Sequence, residues 1–450
     1  MTTPLDSAIF APLFTDEEVS ANLSDSAYVR SLVEVEAALA RAEGRLEVIP
    51  LPAADEIGKI SAEKIGITAL TNGTLQSGFP IIALVQEIRK LVSPEAAPYV
   101  HWGATTQDIM DTACVLQLRS IGKLFRARLV GLVQSLSELS NRHRKTVMAA
   151  RTHGQQAVPL SFGLKVAMWL APLIRHVERF DEIAPRLLVV QFGAAAGTLA
   201  ALGDKGLGVV EALAQELGLS TPAMPWHAQR DNYVEFASWL SLVTGSLGKM
   251  AQDVILMAQS EVGEVGESAE KGRGGSSTMP QKTNPITSEL IMAAARTNAS
   301  LLSALHQALI QEHERATHGW QVEWLTLPQM VSLTGGALKH ALYLAKNLQI
   351  DPVRMRSNMA RAHDVVLAEA AAFALALTLP RPKADELVKN ACAIAVAKNE
   401  PLIETIQNLA AGALPDGAVD WQSLAQPENY LGESEKMIDQ VLKKASKCVP

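Results

Sequence analysis

Cysteine is scarce: the 450-residue chain has three, Cys114, Cys392 and Cys448, an odd number at wide spacing. They make neither a disulfide framework nor, by themselves, a zinc site, and a reducing, cytoplasmic setting fits them best. Charge of a single sign is lacking too. The 40 basic residues stand against 47 acidic ones, a formal net charge of −7 with no long run of either sign, so no nucleic-acid partner is expected. Nor is a membrane partner expected, because the most apolar segment, 187–203, is interrupted by Gln191, Thr198 and several glycines. The start, MTTPLDSAIFAPLF, has no basic residues ahead of an apolar core, and Asp6 and Pro12 interrupt it, so no signal peptide is expected. What remains is 48% hydrophobic and 19% charged side chains, enough to bury a large core over more than one domain. A small molecule is the default partner.

Proline is missing from three long runs, between Pro98 and Pro159, Pro225 and Pro280, and Pro285 and Pro328. Helix interiors exclude proline, and these runs are rich in good helix formers, so each predicts long helices. Periodicity agrees: Phe236, Leu240, Val243, Leu247, Met250, Val254, Met257 and Val262 recur at three- and four-residue steps, a stripe that buries one helix face. Val115, Leu118, Ile121, Leu124, Phe125, Leu129, Leu132 and Leu136 form a second stripe, and Leu301, Leu305 and Leu309 begin a third. Strand alternation of similar length is absent. A helix from Asp16 to Arg45, entered through Asp16, Glu17 and Glu18, and a shorter one over 81–91 suggest a first domain. After Asp351-Pro352 the prolines return and predict shorter helices. The expected fold is all-α in three domains: 1–100, a central long-helix bundle 101–350, and 351–450.

Between two of the long runs lies Gly272-Arg273-Gly274-Gly275-Ser276-Ser277-Thr278-Met279-Pro280-Gln281-Lys282-Thr283-Asn284-Pro285. Glycine-rich backbone presents N–H groups that bind a carboxylate or a developing enolate, and Lys282 and Asn284 add a charge and an amide. By composition alone the segment reads equally well as a plain helix connection. A metal site is not expected: in His313-Glu314-Arg315-Ala316-Thr317-His318 the histidines are five apart, whereas H-E-x-x-H needs a step of four to put both on one helix face. Gly203, Gly206 and Gly208 do not fit a dinucleotide fingerprint, and no cofactor is expected.

The run Gly275 to Asn284 resembles the signature loop of the fumarase/aspartase superfamily, G-S-S-x-M-P-x-K-x-N, at every fixed position. Thr152-His153-Gly154-Gln155-Gln156-Ala157-Val158-Pro159 resembles its T-H-x-Q-x-A-x-P segment, and His101-Trp102-Gly103-Ala104-Thr105-Thr106-Gln107-Asp108 a third shared region. The resemblance implies an all-α homotetramer whose central bundles form the core and whose active sites are shared between subunits. It implies Ser276 as the base that moves a proton at the carbon next to a carboxylate, with His153 paired to Glu289, thirteen residues beyond the serine. Lys282 would stabilise the serine oxyanion and Asn284 would help hold the substrate. Thr152, Gln155, His101, Thr105, Thr106, Gln107 and Arg315 complete the expected substrate-binding set, with Arg151 a weaker candidate cation.

Within the superfamily, Pro225-Trp226-His227-Ala228-Gln229-Arg230-Asp231, Gln311-Glu312-His313-Glu314-Arg315 and Asn429-Tyr430-Leu431-Gly432 are most similar to the 3-carboxy-cis,cis-muconate cycloisomerases. That likeness implies a polycarboxylate substrate and an intramolecular lyase reaction of aromatic catabolism. The rival resemblance is to adenylosuccinate lyase, which would release fumarate by C–N cleavage. It is weakened where such lyases carry a histidine-aspartate pair, since this chain has Gly78-Phe79-Pro80-Ile81-Ile82, and where they carry an arginine, since this chain has Trp324. A crystallin-like structural tetramer is the non-enzymatic alternative, and the intact Ser276, Lys282 and Asn284 argue against it.

Overall fold

The structure is a computed structural model and describes residues 3–267 and 274–448. The fold is all-α: among the described residues it has eighteen α-helices, with four strands paired two by two. No helix among them is long and apolar enough to cross a membrane. The chain divides into two compact units. The first takes residues up to Arg128, His176–Gly245 and Ala293–Lys339; the second takes Leu129–Arg175, Ser246–Met292 and residues from His340 on. The helices Thr106–Arg142, Phe162–Leu187, Asp231–Met257, Ile286–Ala308 and Gly319–Asn347 each contribute to both units. Segments 1–100 and 351–450 of the sequence expectation therefore each fall within one unit, and 101–350 is divided, because packing follows the turns of the long helices and not chain order.

In the first unit Asp16 starts the helix Glu17–Leu23 by accepting the Glu18 and Val19 amides at 3.0 and 3.2 Å. Ser24 then ends that helix and caps the next, Asp25–Arg45, so the single helix expected from Asp16 is two. Asp25–Arg45 places Leu32, Val35, Leu39 and Ala42 in one core with Ile81, Leu84 and Ile88 of the helix Ile81–Leu91. Gly73 lets the helix Ile67–Ser77 lie close to Ile81–Leu91, since a Cβ there would stand 2.3 Å from that of Ala83.

The expected stripes are buried. Val115, Leu118, Ile121 and Phe125 lie in the core of the first unit, Leu129, Leu132 and Leu136 in that of the second; Leu124 is half-buried and Val262 lies past its helix. The third stripe fails, because the helix Ile286–Ala308 stops before Leu309 and a new one starts at Gly319. Proline misleads as well. Pro328 sits inside Gly319–Asn347, and Pro172 and Pro185 lie within Phe162–Leu187. A proline in a helix costs about 3 kcal/mol. In Phe162–Leu187, however, Phe162, Val166, Trp169, Leu170, Leu173, Ile174, Val177 and Phe180 are all buried, each stabilising by roughly 2 kcal/mol, so burial outweighs the lost hydrogen bonds.

A hairpin in the second unit was not expected. Val147–Thr152 pairs antiparallel with Gln155–Ser161, and Thr152 faces Gln155 across a two-residue turn. His153 and Gly154 have φ of 51° and 78°, the left-handed pair that a tight turn of this hand requires. The T-H motif therefore sits at a hairpin tip.

Candidate active site

The candidate residues fall in both units: His101, Thr105, Thr106, Gln107 and Arg315 in the first, and Thr152, His153, Gln155, Ser276, Lys282, Asn284 and Glu289 in the second. In the first unit the organising group is Asp108, on the opening turn of Thr106–Arg142 and 0% exposed. Its carboxylate accepts the Thr105, Gly193 and Ala194 amides at 3.0, 2.9 and 3.0 Å and meets His227 Nε2 at 2.7 Å. Each of these bonds offsets part of the cost of burying the charge. Asp111, one turn on, takes Arg230 at 2.7 and 3.0 Å and Trp320 Nε1 at 3.0 Å. Arg230 is bidentate again to Glu323, at 2.8 and 2.6 Å. Burial disfavours its charge, but the two carboxylates outweigh that and hold the guanidinium well above its usual range.

This framework carries the first motif. Gln107 is buried, and its amide donates to Asp111 at 3.1 Å and to the His227 carbonyl at 3.0 Å, so it serves the fold. Thr105 Oγ1 accepts from Arg315 at 2.7 Å, which unites two expected binding residues 210 positions apart. Thr106, at the helix start, is half-buried beside them in sequence. His101 has a left-handed backbone, φ 65°, and its Nδ1 lies 2.7 Å from Glu36 Oε1. Burial would lower the imidazole's pKa, yet the charge and hydrogen bond of Glu36, with Asp108, hold it above the ordinary histidine value.

The two positions that depart from adenylosuccinate lyases meet in the same unit. Phe79 stacks on Trp320 at 5.5 Å between centroids, and Trp324 stands edge-on to both, at 5.9 and 4.8 Å. Trp320 and Trp324 also line a cavity of about 540 Å³, with Tyr28, Leu70, Met110 and Leu327.

In the second unit the signature loop is closed by its own backbone. The Asn284 amide donates to the Gly274 carbonyl at 2.7 Å, and Gly275 bridges to Thr283. Gly274 has φ 70°, and a Cβ there would lie 2.5 Å from the Asn284 carbonyl oxygen, so only glycine closes the loop this way. Ser276 Oγ accepts the Thr278 and Met279 amides at 3.3 and 3.0 Å. Lys282 is exposed and Asn284 half-buried. Where the loop enters Ile286–Ala308, Glu267 accepts the Thr287 and Ser288 amides at 2.8 and 2.6 Å and fixes the helix start. Gly272 and Arg273 lie outside the described residues.

Thr152, His153 and Gln155 are exposed at the hairpin tip, and Glu289 is exposed on the first turn of Ile286–Ala308. No hydrogen bond joins His153 to Glu289. Arg151 is bound to Glu264 at 2.8 and 2.6 Å and is not a free cation. His318 pairs with Glu312 at 3.0 Å, and among the described residues no group of three or more His, Cys, Asp or Glu could hold a metal ion. Glu36, His227 and Glu267 were not singled out in the sequence: each acts on a segment distant in the chain, and only the "Gln-Asp" ending of the first motif hinted at Asp108.

Residues 18–298 match the lyase family. The chain is 43% identical over 438 residues to the 3-carboxy-cis,cis-muconate cycloisomerase of Pseudomonas aeruginosa, covering 96% of this chain and 95% of that one. It is 40% identical over 445 residues to the cycloisomerase of Acinetobacter baylyi, covering 98% and 99%. The crystal structure of the 3-carboxy-cis,cis-muconate lactonizing enzyme of Pseudomonas putida superposes with a TM-score of 0.92 at 39% identity, covering 98% of this chain and 100% of that one. The chain belongs to the lyase family and is an enzyme of the fumarase/aspartase fold. Within that family its likeness to the 3-carboxy-cis,cis-muconate cycloisomerases runs over nearly the whole length.

Proposed function

We propose that this chain is a cytoplasmic 3-carboxy-cis,cis-muconate cycloisomerase that interconverts this tricarboxylate and a carboxymuconolactone in protocatechuate catabolism by the β-ketoadipate route, without cofactor. The observation that carries the specificity is the contact of Phe79, Trp320 and Trp324, an apolar aromatic cluster where a nucleotide-cleaving relative would need charge. Full-length similarity to enzymes of that name supports it.

One substrate carboxylate adds to the conjugated alkene. A C–O bond forms, the alkene's electron pair moves toward the neighbouring carboxylate as an enediolate, and a proton delivered to carbon completes the lactone. The enzyme has to fold the diene, neutralise carboxylates and move one proton. Ser276 is the proton-transfer group, and the Thr278 and Met279 amides on its Oγ are the kind of donors that stabilise an alkoxide. Lys282 adds positive charge and Asn284 an amide; His153, backed by Glu289 in the assembled enzyme, is the second proton carrier. His101, Thr105, Thr106 and Arg315 bind carboxylates, with Thr152 and Gln155 as neutral donors, while Gln107 positions the motif. The exposure of His153, Lys282 and Glu289 fits a homotetramer in which other subunits complete each site.

The test follows loss of diene absorbance with 3-carboxy-cis,cis-muconate and, separately, cleavage of adenylosuccinate. Wild type should lactonise, and Trp324→Arg should slow this about tenfold or more without creating cleavage. Adenylosuccinate cleavage faster than lactonisation at equal substrate would overturn the assignment.

A further inference from the structure

Glu36 is a carboxylate where the sequence otherwise places core. It lies on Asp25–Arg45 among Leu32, Val33, Val35 and Leu39, and is 2% exposed. Such burial is tolerated for an ionised carboxylate only with a partner. Its Oε1 is 2.7 Å from His101 Nδ1, and its Oε2 has no hydrogen-bond partner. The burial is therefore not explained by a saturated network of the kind around Asp108. It is directed at a single imidazole 65 residues away.

We propose that Glu36 is a positioning residue of the reaction site: it holds the His101 ring through Nδ1–H and leaves Nε2 as the nitrogen that meets a substrate carboxylate. The inference deepens the proposed function and rests on it for what His101 binds. A carboxylate can only accept, so Nδ1 donates and Nε2 is the free end of the ring. Nε2 has no hydrogen-bond partner among the described residues, and the His101 side chain is 17% exposed, so the ring is fixed at one nitrogen and open at the other. The left-handed backbone of His101 shows that its placement is held against local preference.

The charges facing the ring are Glu36 from Asp25–Arg45, Asp108 from Thr106–Arg142 and Arg89 from Ile81–Leu91, and the acidic pair prevails. Glu43, two turns beyond Glu36, is buried with neither oxygen bonded; burial and the Glu36 charge push it up to about 9, so it is neutral near pH 7 and does not compete for the imidazolium. An imidazolium whose Nε2–H points at a carboxylate both neutralises it and orients it, whereas the neutral Nδ1–H tautomer presents only a lone pair at Nε2 and cannot donate to a carboxylate.

The test uses the full-length enzyme with Glu36→Gln, Glu36→Asp and His101→Asn. Histidine labelled with 13C at Cε1, assigned by loss of one signal in His101→Asn, reports the titration of His101 without reference to any substrate. Glu36→Gln should lower its midpoint, and Glu36→Asp, which keeps the charge, should retain the raised one. Glu36→Gln should lower kcat/KM for lactonisation about tenfold to a hundredfold at neutral pH. The alkaline fall of its pH profile should move to lower pH, and the gap to wild type should narrow in acid. Added to His101→Asn, it should cost nothing further. An unchanged His101 titration in Glu36→Gln, or losses that add in the double variant, would make Glu36 a packing residue and overturn the proposal. A wild type that does not lactonise would overturn the proposed function instead, and the titration would still decide the dyad.

Discussion

The Asp108 framework and the Gly274–Asn284 loop hold polar groups ready in opposite ways. Asp108 is sealed from water and bonded to three amides and an imidazole. Ser276 depends on amides two and three residues further along its own loop, and Lys282 stands in solvent. The first arrangement is costly to disturb because every partner would be left unpaired inside the protein. The second is cheap to disturb, since water replaces what is removed. On the proposed mechanism, the largest contribution to stability and the proton-transfer group sit in different places, and substitutions should separate them.

The largest effect is expected at Asp108. Asp108→Ala strands three amides and His227 and should destabilise by about 3–5 kcal/mol, read as a large fall in melting temperature. A wild-type melting curve would break the contrast. Next, Ser276→Ala and Lys282→Ala should each slow turnover roughly a hundredfold or more, about 2.7 kcal/mol of transition-state stabilisation, with melting nearly unchanged. A melting loss comparable to that of Asp108→Ala would show the loop to be structural. A third measurement mixes inactive His101→Ala and Ser276→Ala subunits, the two substitutions falling one in each unit. Reassembled mixtures should regain a fraction of the activity, and none regained in mass-verified mixed tetramers would place both residues in one subunit's site.

A further contrast concerns pH. Glu43, buried in the first unit, has a native pKa of about 9, above its unfolded value, so its contribution to stability is complete in acid and is lost as pH rises toward 9. Glu43→Gln should therefore flatten the alkaline decline, its melting temperature gaining on wild type between pH 6 and pH 9. Equal slopes for the two proteins would remove Glu43 from the account.

The long helices were legible because their stripes repeat over many turns, and Ile81–Leu91 appears with the expected bounds. The hairpin Val147–Ser161 escaped notice because Pro159 and a run of mixed polarity hide it, although His153-Gly154 is a turn signal of the kind that joins two strands. The helix Phe162–Leu187 was hidden by its two prolines, which a rule about backbone hydrogen bonds weighs and a buried apolar face overrides. At the site, motif residues were readable as chemistry, but their setting was not. Arg151, only a weaker candidate cation, is taken by Glu264, 113 residues away, and the side-chain amide of Gln107, expected as a substrate donor, by Asp111 and the His227 carbonyl.

The Asp108 framework also imposes an order on synthesis. Gly193, Ala194 and His227 follow Asp108 by 85, 86 and 119 residues, and Glu323 follows Arg230 by 93. At roughly 5–20 residues per second, the nascent Thr106–Arg142 helix spends several seconds with its opening carboxylate capped by Thr105 alone, and Arg230 waits as long for its second partner. Neither charge can leave water in that interval. The first unit cannot complete its polar heart until the ribosome has passed Glu323, so the apolar faces around Asp108 wait while nearly half of the chain is made.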